Sequence, residues 1–337
     1  MARKIDEFDL IARYFAPLTL DMPGAHGLLD DVATLWVPEG HELVISADAL
    51  VAGIHFPETT APVDIARRAL RVNLSDIAAK GATPLAYTMT LALPENVEES
   101  WVQAYASGLA SDQATYGIGL LGGDTTRTRG PLTISINIFG QVSDNKWIKR
   151  SGAQVDDDVY VSGSIGDSFL GLALEQGHFT ADSQADHDFL VDRFLRPQPR
   201  VQLGQGLVGH ASGAADVSDG LVADLGHVCK ASGLAAELDL SAVPISDAAR
   251  RAVTDNQQLR LKLLCSGDDY EIVFTAPKSE RDALLAISRE VGVPMARIGR
   301  TVTYTSGAKR VVVRDEAGKE LELGDGGYRH FETEGSC

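Results

Sequence analysis

The feature of this sequence that most constrains its fold is a set of aspartates placed among apolar residues. Asp76 is the most informative, because it lies inside a predicted helix. Ile65, Ala69, Val72 and Asp76 follow one another at steps of four, three and four residues, which puts all of them on one helix face. A carboxylate on an apolar face costs free energy unless it is paired or binds a metal. Asp76 is therefore a candidate metal ligand.

Other aspartates occupy predicted strand ends or helix starts. They are Asp30–Asp31 in GLLDDVA, Asp48 directly after an LVIS strand, Asp124 in LLGGDTT, and Asp216 and Asp219 in AADVSDG. Carboxylates at strand ends build ligand sites in α/β proteins, and Mg²⁺ prefers such oxygen ligands. A lone aspartate before a helix more often caps the helix. Capping could account for Asp219 and for one of Asp30 and Asp31, but not for Asp76.

Patterning along the 337 residues mixes helices with strands, so the predicted fold class is α/β or α+β. Strands are predicted at 43–46, 85–93, 134–138, 159–162 and 271–275, helices at 8–15, 62–81, 97–116 and 167–176, and strand–turn–helix units near 214–231 and 235–250. The segment 143–158 is polar and marks a boundary. We assign an N-terminal domain to 1–147 and a C-terminal domain to 148–337.

Composition excludes several classes of partner. The formal net charge of −17 disfavours binding to nucleic acids and anionic membranes. No stretch approaches the roughly 20 apolar residues that cross a bilayer, and the start MARKIDEFDL lacks the apolar run of a signal peptide. The three cysteines have no metal-ligand spacing and fit a reducing compartment. We therefore expect a cytoplasmic protein.

Two glycine motifs have simpler explanations than nucleotide binding. Gly117, Gly119 and Gly122 match G-x-G-x-x-G, but GDTT follows where the dinucleotide fingerprint requires a helix. The chain also lacks a Walker-type G-x-x-x-x-G-K-[ST], which excludes the P-loop kinases. The GSIGDS segment at 163–168 could surround an anion, although a tight turn is the commoner use of such a sequence.

Taken together, these segments resemble one family, the thiamine-monophosphate kinases of the aminoimidazole-ribonucleotide synthetase-like superfamily. The segments that match appear in family order and include LLDDVA, ISADALVAGIHF, ALRVNLSDIAAKGATP, LLGGDTTR, KRSGA, RFLRPQPR, DVSDGLVADLGHV, SGDDYEIVF and GYRHF. The resemblance implies a two-domain fold in a homodimer. The N-terminal domain would contribute strands to an intersubunit β-barrel, and the C-terminal domain would close the active-site cleft.

The resemblance also implies an activity, the ATP-dependent phosphorylation of thiamine phosphate to thiamine diphosphate by direct in-line transfer with several Mg²⁺ ions. The implied metal ligands are Asp31, Ser46, Ala47, Asp48, Asp76, Asp124, Asp216 and Asp219, of which Asp48, Asp76, Asp124 and Asp216 would be catalytic. ATP would contact Gly123, Asp124, Arg150 and Ser218, and thiamine phosphate would contact His55, Asp268 and Tyr328. Ala47 could contribute only its backbone carbonyl.

The chain departs from the family pattern at three places. Leu29 stands where glycine usually precedes the paired acids, Asp268 stands where the family has glutamate, and two residues are inserted after Arg127. The shorter acid at position 268 bears on acceptor binding. Two alternatives remain open, namely another ATP-dependent enzyme of the superfamily and a non-catalytic nucleotide-binding protein. A selenophosphate synthetase would need a reactive cysteine or selenocysteine beside a lysine near the N-terminus, and neither is present there.

Overall fold

The computed structural model describes residues 7–254 and 256–323. The chain forms two compact units. Unit 1 comprises Met1–Ile77 and Ala82–Asn145, and unit 2 comprises Ala78–Gly81 and Lys146–Cys337. Tyr328 and Cys337 lie outside the described residues. Within the described ranges, no helix has the length and hydropathy needed to span a membrane.

Unit 1 is a four-stranded sheet with helices packed on one face. Its strands are β1 (His41–Val51), β2 (Thr83–Pro94), β3 (Gly119–Thr128) and β4 (Thr133–Ser143), and its helices are α1 (Glu7–Leu10), α2 (Pro62–Ala79) and α3 (Glu99–Tyr116), with short helical turns at Ile11–Phe15, Ala16–Thr19 and Pro23–Leu28. The strand order is β1-β4-β2-β3. β4 is antiparallel to both β1 and β2, and β3 is parallel to β2.

Unit 2 is built on a six-stranded sheet of order β10-β7-β9-β5-β8-β6. The strands are β5 (Asp158–Ser162), β6 (Gly213–Asp216), β7 (Leu234–Asp239), β8 (Ile272–Ala276), β9 (Met295–Thr303) and β10 (Val311–Arg314). The helices are α4 (Asp167–Glu175), α5 (Gln184–Leu195), α6 (Val201–Leu207), α7 (Leu221–Ser232), α8 (Asp247–Ala252), α9 (Gln257–Cys265) and α10 (Arg281–Val291), with short turns at Leu240–Ala242 and Lys278–Glu280. Every residue of β5 and of β8 is buried, so both faces of this sheet are covered.

The predicted mixture of helices and strands is confirmed, and the limits of α2, β2 and α3 agree closely with their start and stop signals. Two placements were wrong. The LVIS strand does not stop before Asp48, because β1 pairs with β4 without interruption from His41 to Val51. Asp124 likewise does not lie in a turn, because β3 continues beside β2 as far as Thr128. Both acids therefore lie within edge strands.

Candidate active site

The Asp76 carboxylate contacts a hydroxyl group on strand β1. Ser46 Oγ donates a hydrogen bond of 2.5 Å to Asp76 Oδ2, and both side chains are half-buried. Asp76 occupies the last turn of α2, which contains no basic residue. Because the carbonyl end of a helix carries partial negative charge, a carboxylate there is disfavoured unless a cation lies nearby.

Asp48 shares a strand face with Ser46, because side chains two residues apart point to the same side. Its backbone N–H donates to Asn73 Oδ1 at 3.0 Å, and Asn73 Nδ2 donates to the Ala69 carbonyl at 2.9 Å. The strand and helix thus bring Ser46, Asp48 and Asp76 to one side of the sheet. Their hydroxyl and carboxylate oxygens are the donors that Mg²⁺ prefers. Asn73 was not predicted from the sequence, although a buried amide one turn before Asp76 was the available indication.

A second group of predicted ligands lies at the other edge of the same sheet. Asp31, Gly123 and Asp124 line a cavity of about 300 Å³ together with Asp30. Both Asp31 and Asp124 are exposed. A Cβ added at Gly123 would lie 1.9 Å from the Met89 carbonyl oxygen, so only glycine allows β3 to approach β2 this closely.

These two groups remain separate within unit 1. Asp48 lies on β1 and Asp124 on β3, which are the two edge strands of the sheet. Three strand spacings correspond to about 14 Å. Ala47 faces away from Ser46 and Asp48 because side chains alternate along β1. His55 lies beyond the end of β1, where its Nδ1 accepts a hydrogen bond of 3.0 Å from the Val51 N–H.

In unit 2, predicted site residues lie on two loops that are hydrogen-bonded to each other, the loop after β6 and the loop before β8. Asp216 ends β6 and is buried, and the chain then turns through Ser218 into α7. The Asp268 N–H donates to the Ser218 carbonyl, and the Tyr270 N–H donates to the Val217 carbonyl, each at 2.8 Å. The loop with the predicted acceptor-side acid is thereby fixed to the loop with the predicted nucleotide contacts.

A buried carboxylate holds the backbone of the loop that contains Ser218 and Asp219. Asp224 Oδ2 accepts the backbone N–H groups of Ser218 and Asp219 at 3.0 and 2.9 Å. Burial raises the pKa of Asp224 to about 7, while the backbone hydrogen bonds and the positive charge of Arg150 oppose this rise. In the described part of the chain, one group of three acidic or imidazole side chains has ligand atoms within 4.8 Å of one another, namely Asp219, Asp224 and His227. Neither Asp224 nor His227 was predicted. The available indication was that the two residues are three positions apart in the helix that follows the SDG segment, so they lie on one helix face.

The GSIGDS turn surrounds a carboxyl group, and that group belongs to the protein. The N–H groups of Gly166 and Ser168 donate to the two carboxylate oxygens of Asp269, at 2.7 and 3.3 Å. Asp269 is buried, and this burial raises its pKa well above the usual range. Asp269 therefore ties the turn to the loop that contains Asp268, and the turn has a structural use.

The departures from the family pattern lie in accessible places. Leu29 is 91% exposed, so its larger side chain meets no obstacle. The extra residues after Arg127 fall at the end of β3 and in the short connection to β4. Asp268 adopts a left-handed backbone conformation with φ of 73°, which aspartate tolerates better than most residues.

Both units match known protein families. Residues 29–142 match the AIR synthase related protein N-terminal domain, and residues 154–311 match the corresponding C-terminal domain. The thiamine-monophosphate kinase of Salmonella typhimurium is 44% identical over 330 residues, covering 97% of this chain and 98% of the relative. That of Bacillus subtilis is 32% identical over 333 residues, covering 97% and 100%.

Solved structures are similar over most of the chain. The thiamine-monophosphate kinase of Stenotrophomonas maltophilia K279a superposes with a TM-score of 0.82 at 41% identity, covering 92% of this chain and 96% of that one. The complex of AaThiL with AMPPCP and TMP gives a TM-score of 0.75 at 28% identity, covering 93% and 98%. A hydrogenase maturation protein HypE in complex with ATP gives 0.77 at 20% identity, covering 96% of each chain, which indicates a shared fold.

Proposed function

The chain belongs to the thiamine-monophosphate kinase family, and from that premise we propose that it transfers the γ-phosphoryl group of ATP in line to the phosphate of thiamine phosphate, with several Mg²⁺ ions bound. The products are thiamine diphosphate and ADP. The single observation that best supports the metal-dependent part is the position of Asp76. Its carboxylate lies half-buried in the last turn of α2, which contains no basic side chain.

The main task of such a site is to bring two polyanions together. Mg²⁺ bound by the acids supplies positive charge that neutralises the phosphates and stabilises charge in the transition state. In our proposal Ser46, Asp48 and Asp76 hold metal at the β1–α2 face. The remaining metal ligands are the Ala47 carbonyl, Asp31, Asp124, Asp216 and Asp219. No strong general base is required, because the acceptor phosphate is already ionised near neutral pH.

The nucleotide contacts that we propose are Gly123 and Asp124 in unit 1, and Arg150 and Ser218 in unit 2. Arg150 would add a fixed positive charge beside ATP. His55, Asp268 and Tyr328 are the proposed contacts to thiamine phosphate. The carboxylate of Asp268 suits the positively charged thiazolium ring of that acceptor. We place the enzyme in the cytoplasm, where thiols such as the free Cys229 and Cys265 stay reduced.

The proposed reaction is tested by coupled detection of ADP with ATP, Mg²⁺ and thiamine phosphate. We expect ADP release to depend on thiamine phosphate and to yield thiamine diphosphate. Thiamine and no acceptor are the two controls, and both should give only background release. Folded protein that binds ATP but releases no acceptor-dependent ADP would instead support a superfamily relative or a non-catalytic nucleotide-binding protein.

We also propose that two copies associate through unit 1 and form the intersubunit β-barrel. Leu29, Trp36 and Ile45 of unit 1 are 91%, 77% and 58% exposed, and burial of apolar side chains against another chain is favourable. Light scattering should give twice the 35.9 kDa chain mass. Ile45→Asp should shift the protein towards monomer, whereas Leu285→Asp, at an exposed apolar position of unit 2, should not. A monomeric wild-type protein at micromolar concentration would contradict the proposal.

A further inference from the structure

Asn73 is a fully buried residue whose side-chain amide makes one hydrogen bond to β1 and one within α2. Its exposed fraction is 0%, and it lies in the interior of α2, where asparagine is a poor helix former. Its Oδ1 accepts the Asp48 N–H at 3.0 Å, and its Nδ2 donates to the Ala69 carbonyl at 2.9 Å. The amide therefore joins the helix to the backbone of one acid that we propose to bind metal.

The position of Asp48 explains why this bond matters. In the part of the chain that the structure describes, β1 is an edge strand that pairs with β4 on one side only. An edge strand leaves alternate backbone N–H groups without a partner in the sheet. Asn73 supplies that missing acceptor to Asp48, and it thereby fixes the main chain from which this carboxylate extends.

Two hydrogen bonds connect alternate residues of β1 to α2. Ser46 bonds to Asp76, and two residues further along the strand Asp48 bonds to Asn73, which lies one helical turn before Asp76. The two carboxylates repel each other when no cation lies between them. The Ser46 contact restrains Asp76 but does not restrain Asp48. The Asn73 contact acts directly on the Asp48 main chain and opposes its movement away from the helix.

We propose that Asn73 is a positioning residue for the metal site, and that it keeps Asp48 at its spacing from Asp76 before Mg²⁺ binds. The inference rests on the proposed function of these acids as Mg²⁺ ligands. Preorganised ligands bind a metal more tightly than ligands that must first be brought together. Loss of the Asp48–Asn73 bond should therefore weaken Mg²⁺ binding more than it changes the reaction at saturating Mg²⁺.

The test is calorimetric titration of the full chain with Mg²⁺ alone, without nucleotide or acceptor. Asn73→Ser is the informative variant, because serine in a helix can still donate to the carbonyl four residues earlier but is too short to reach Asp48. We expect its Kd for Mg²⁺ to rise at least about tenfold.

Gln113→Ala is the matched control. Its amide bridges α3 to the Leu18 carbonyl and the Tyr87 hydroxyl, both at 3.1 Å, and it touches none of the proposed ligands. Thermal melting reports folding for every variant. A Kd for Asn73→Ser equal to that of wild type or of Gln113→Ala would overturn the inference. Wild-type protein that binds no Mg²⁺ would instead contradict the proposed function.

Discussion

Asp76→Asn is expected to abolish turnover while leaving the folded protein intact. The proposed metal site loses a charged ligand, and removal of one such electrostatic contribution costs about 1000-fold in kcat at the upper end of the known range. Asparagine has nearly the same shape as aspartate and keeps an oxygen that can accept the Ser46 hydroxyl. Removing negative charge from the last turn of α2 also relieves an unfavourable interaction of about 0.5 kcal/mol with the helix dipole.

The experiment compares kcat at saturating ATP and thiamine phosphate with the midpoint of thermal unfolding. Asp64→Asn is a suitable control, because Asp64 lies in the first turn of the same helix and no metal role is proposed for it. That variant should keep its activity and lose a few tenths of a kcal/mol of stability. Near-normal turnover by Asp76→Asn would remove Asp76 from the proposed metal site, and unfolding of this variant would show that its role is structural.

Local signals in the sequence predicted whole elements better than they predicted the ends of strands. Pro62 and Gly81 bracket α2, since each residue acts through its own backbone. The continuation of β1 through Asp48 depends instead on pairing with β4, which lies about 90 residues further along the chain. Aspartate is itself disfavoured in strands. The prediction from local sequence therefore ended the strand before Asp48, although β1 continues to Val51. The same reasoning applies to Asp124 in β3.

The candidate site was predicted residue by residue but not as an arrangement. Ser46 Oγ donates to Asp76, and the role of Asp76 in metal binding stays a prediction. The family resemblance is confirmed by the full-length relatives. The separation of Asp48 from Asp124 follows from the strand order, which no single segment encodes. Asn73 and Asp224 escaped prediction because their importance comes from backbone groups that tertiary packing brings to them.

Glu271→Gln is expected to cost about 3–5 kcal/mol of stability, the range for breaking a buried ion pair by removal of one partner. Glu271 has no exposed surface, and Arg193 Nη2 and Arg200 Nε each donate to it at 2.7 Å, with Ser162 Oγ at 2.6 Å. Burial opposes ionisation of this carboxyl, but the hydrogen bonds and charges of Arg200 and Arg193 together hold its pKa below the usual range. The neutral amide would remove the carboxylate charge that the Arg193 and Arg200 guanidinium groups share.

The sign of the pH dependence provides a second measurement. Because the pKa of Glu271 is lower in the folded protein than in the unfolded chain, its contribution is fully present above about pH 4.3 and is lost as the pH falls through the folded-state value. Urea denaturation at pH 7 should therefore separate wild type from Glu271→Gln, and the difference should shrink at acid pH. Glu290→Gln, at an exposed position of α10, should change stability by less than about 0.5 kcal/mol.

The loss of stability in Glu271→Gln should come from the buried charges of Arg193 and Arg200 once the carboxylate is gone. It should not come from the loss of a net favourable ion cluster. A buried cluster repays its own desolvation only in part, and apolar replacement of all its members is often neutral. The combined variant Glu271→Leu, Arg193→Met and Arg200→Leu should therefore recover most of the stability that Glu271→Gln loses. A combined variant as unstable as Glu271→Gln would show that the ion cluster itself stabilises unit 2. A loss below about 1 kcal/mol for Glu271→Gln would mean that the two guanidinium groups find other partners or water.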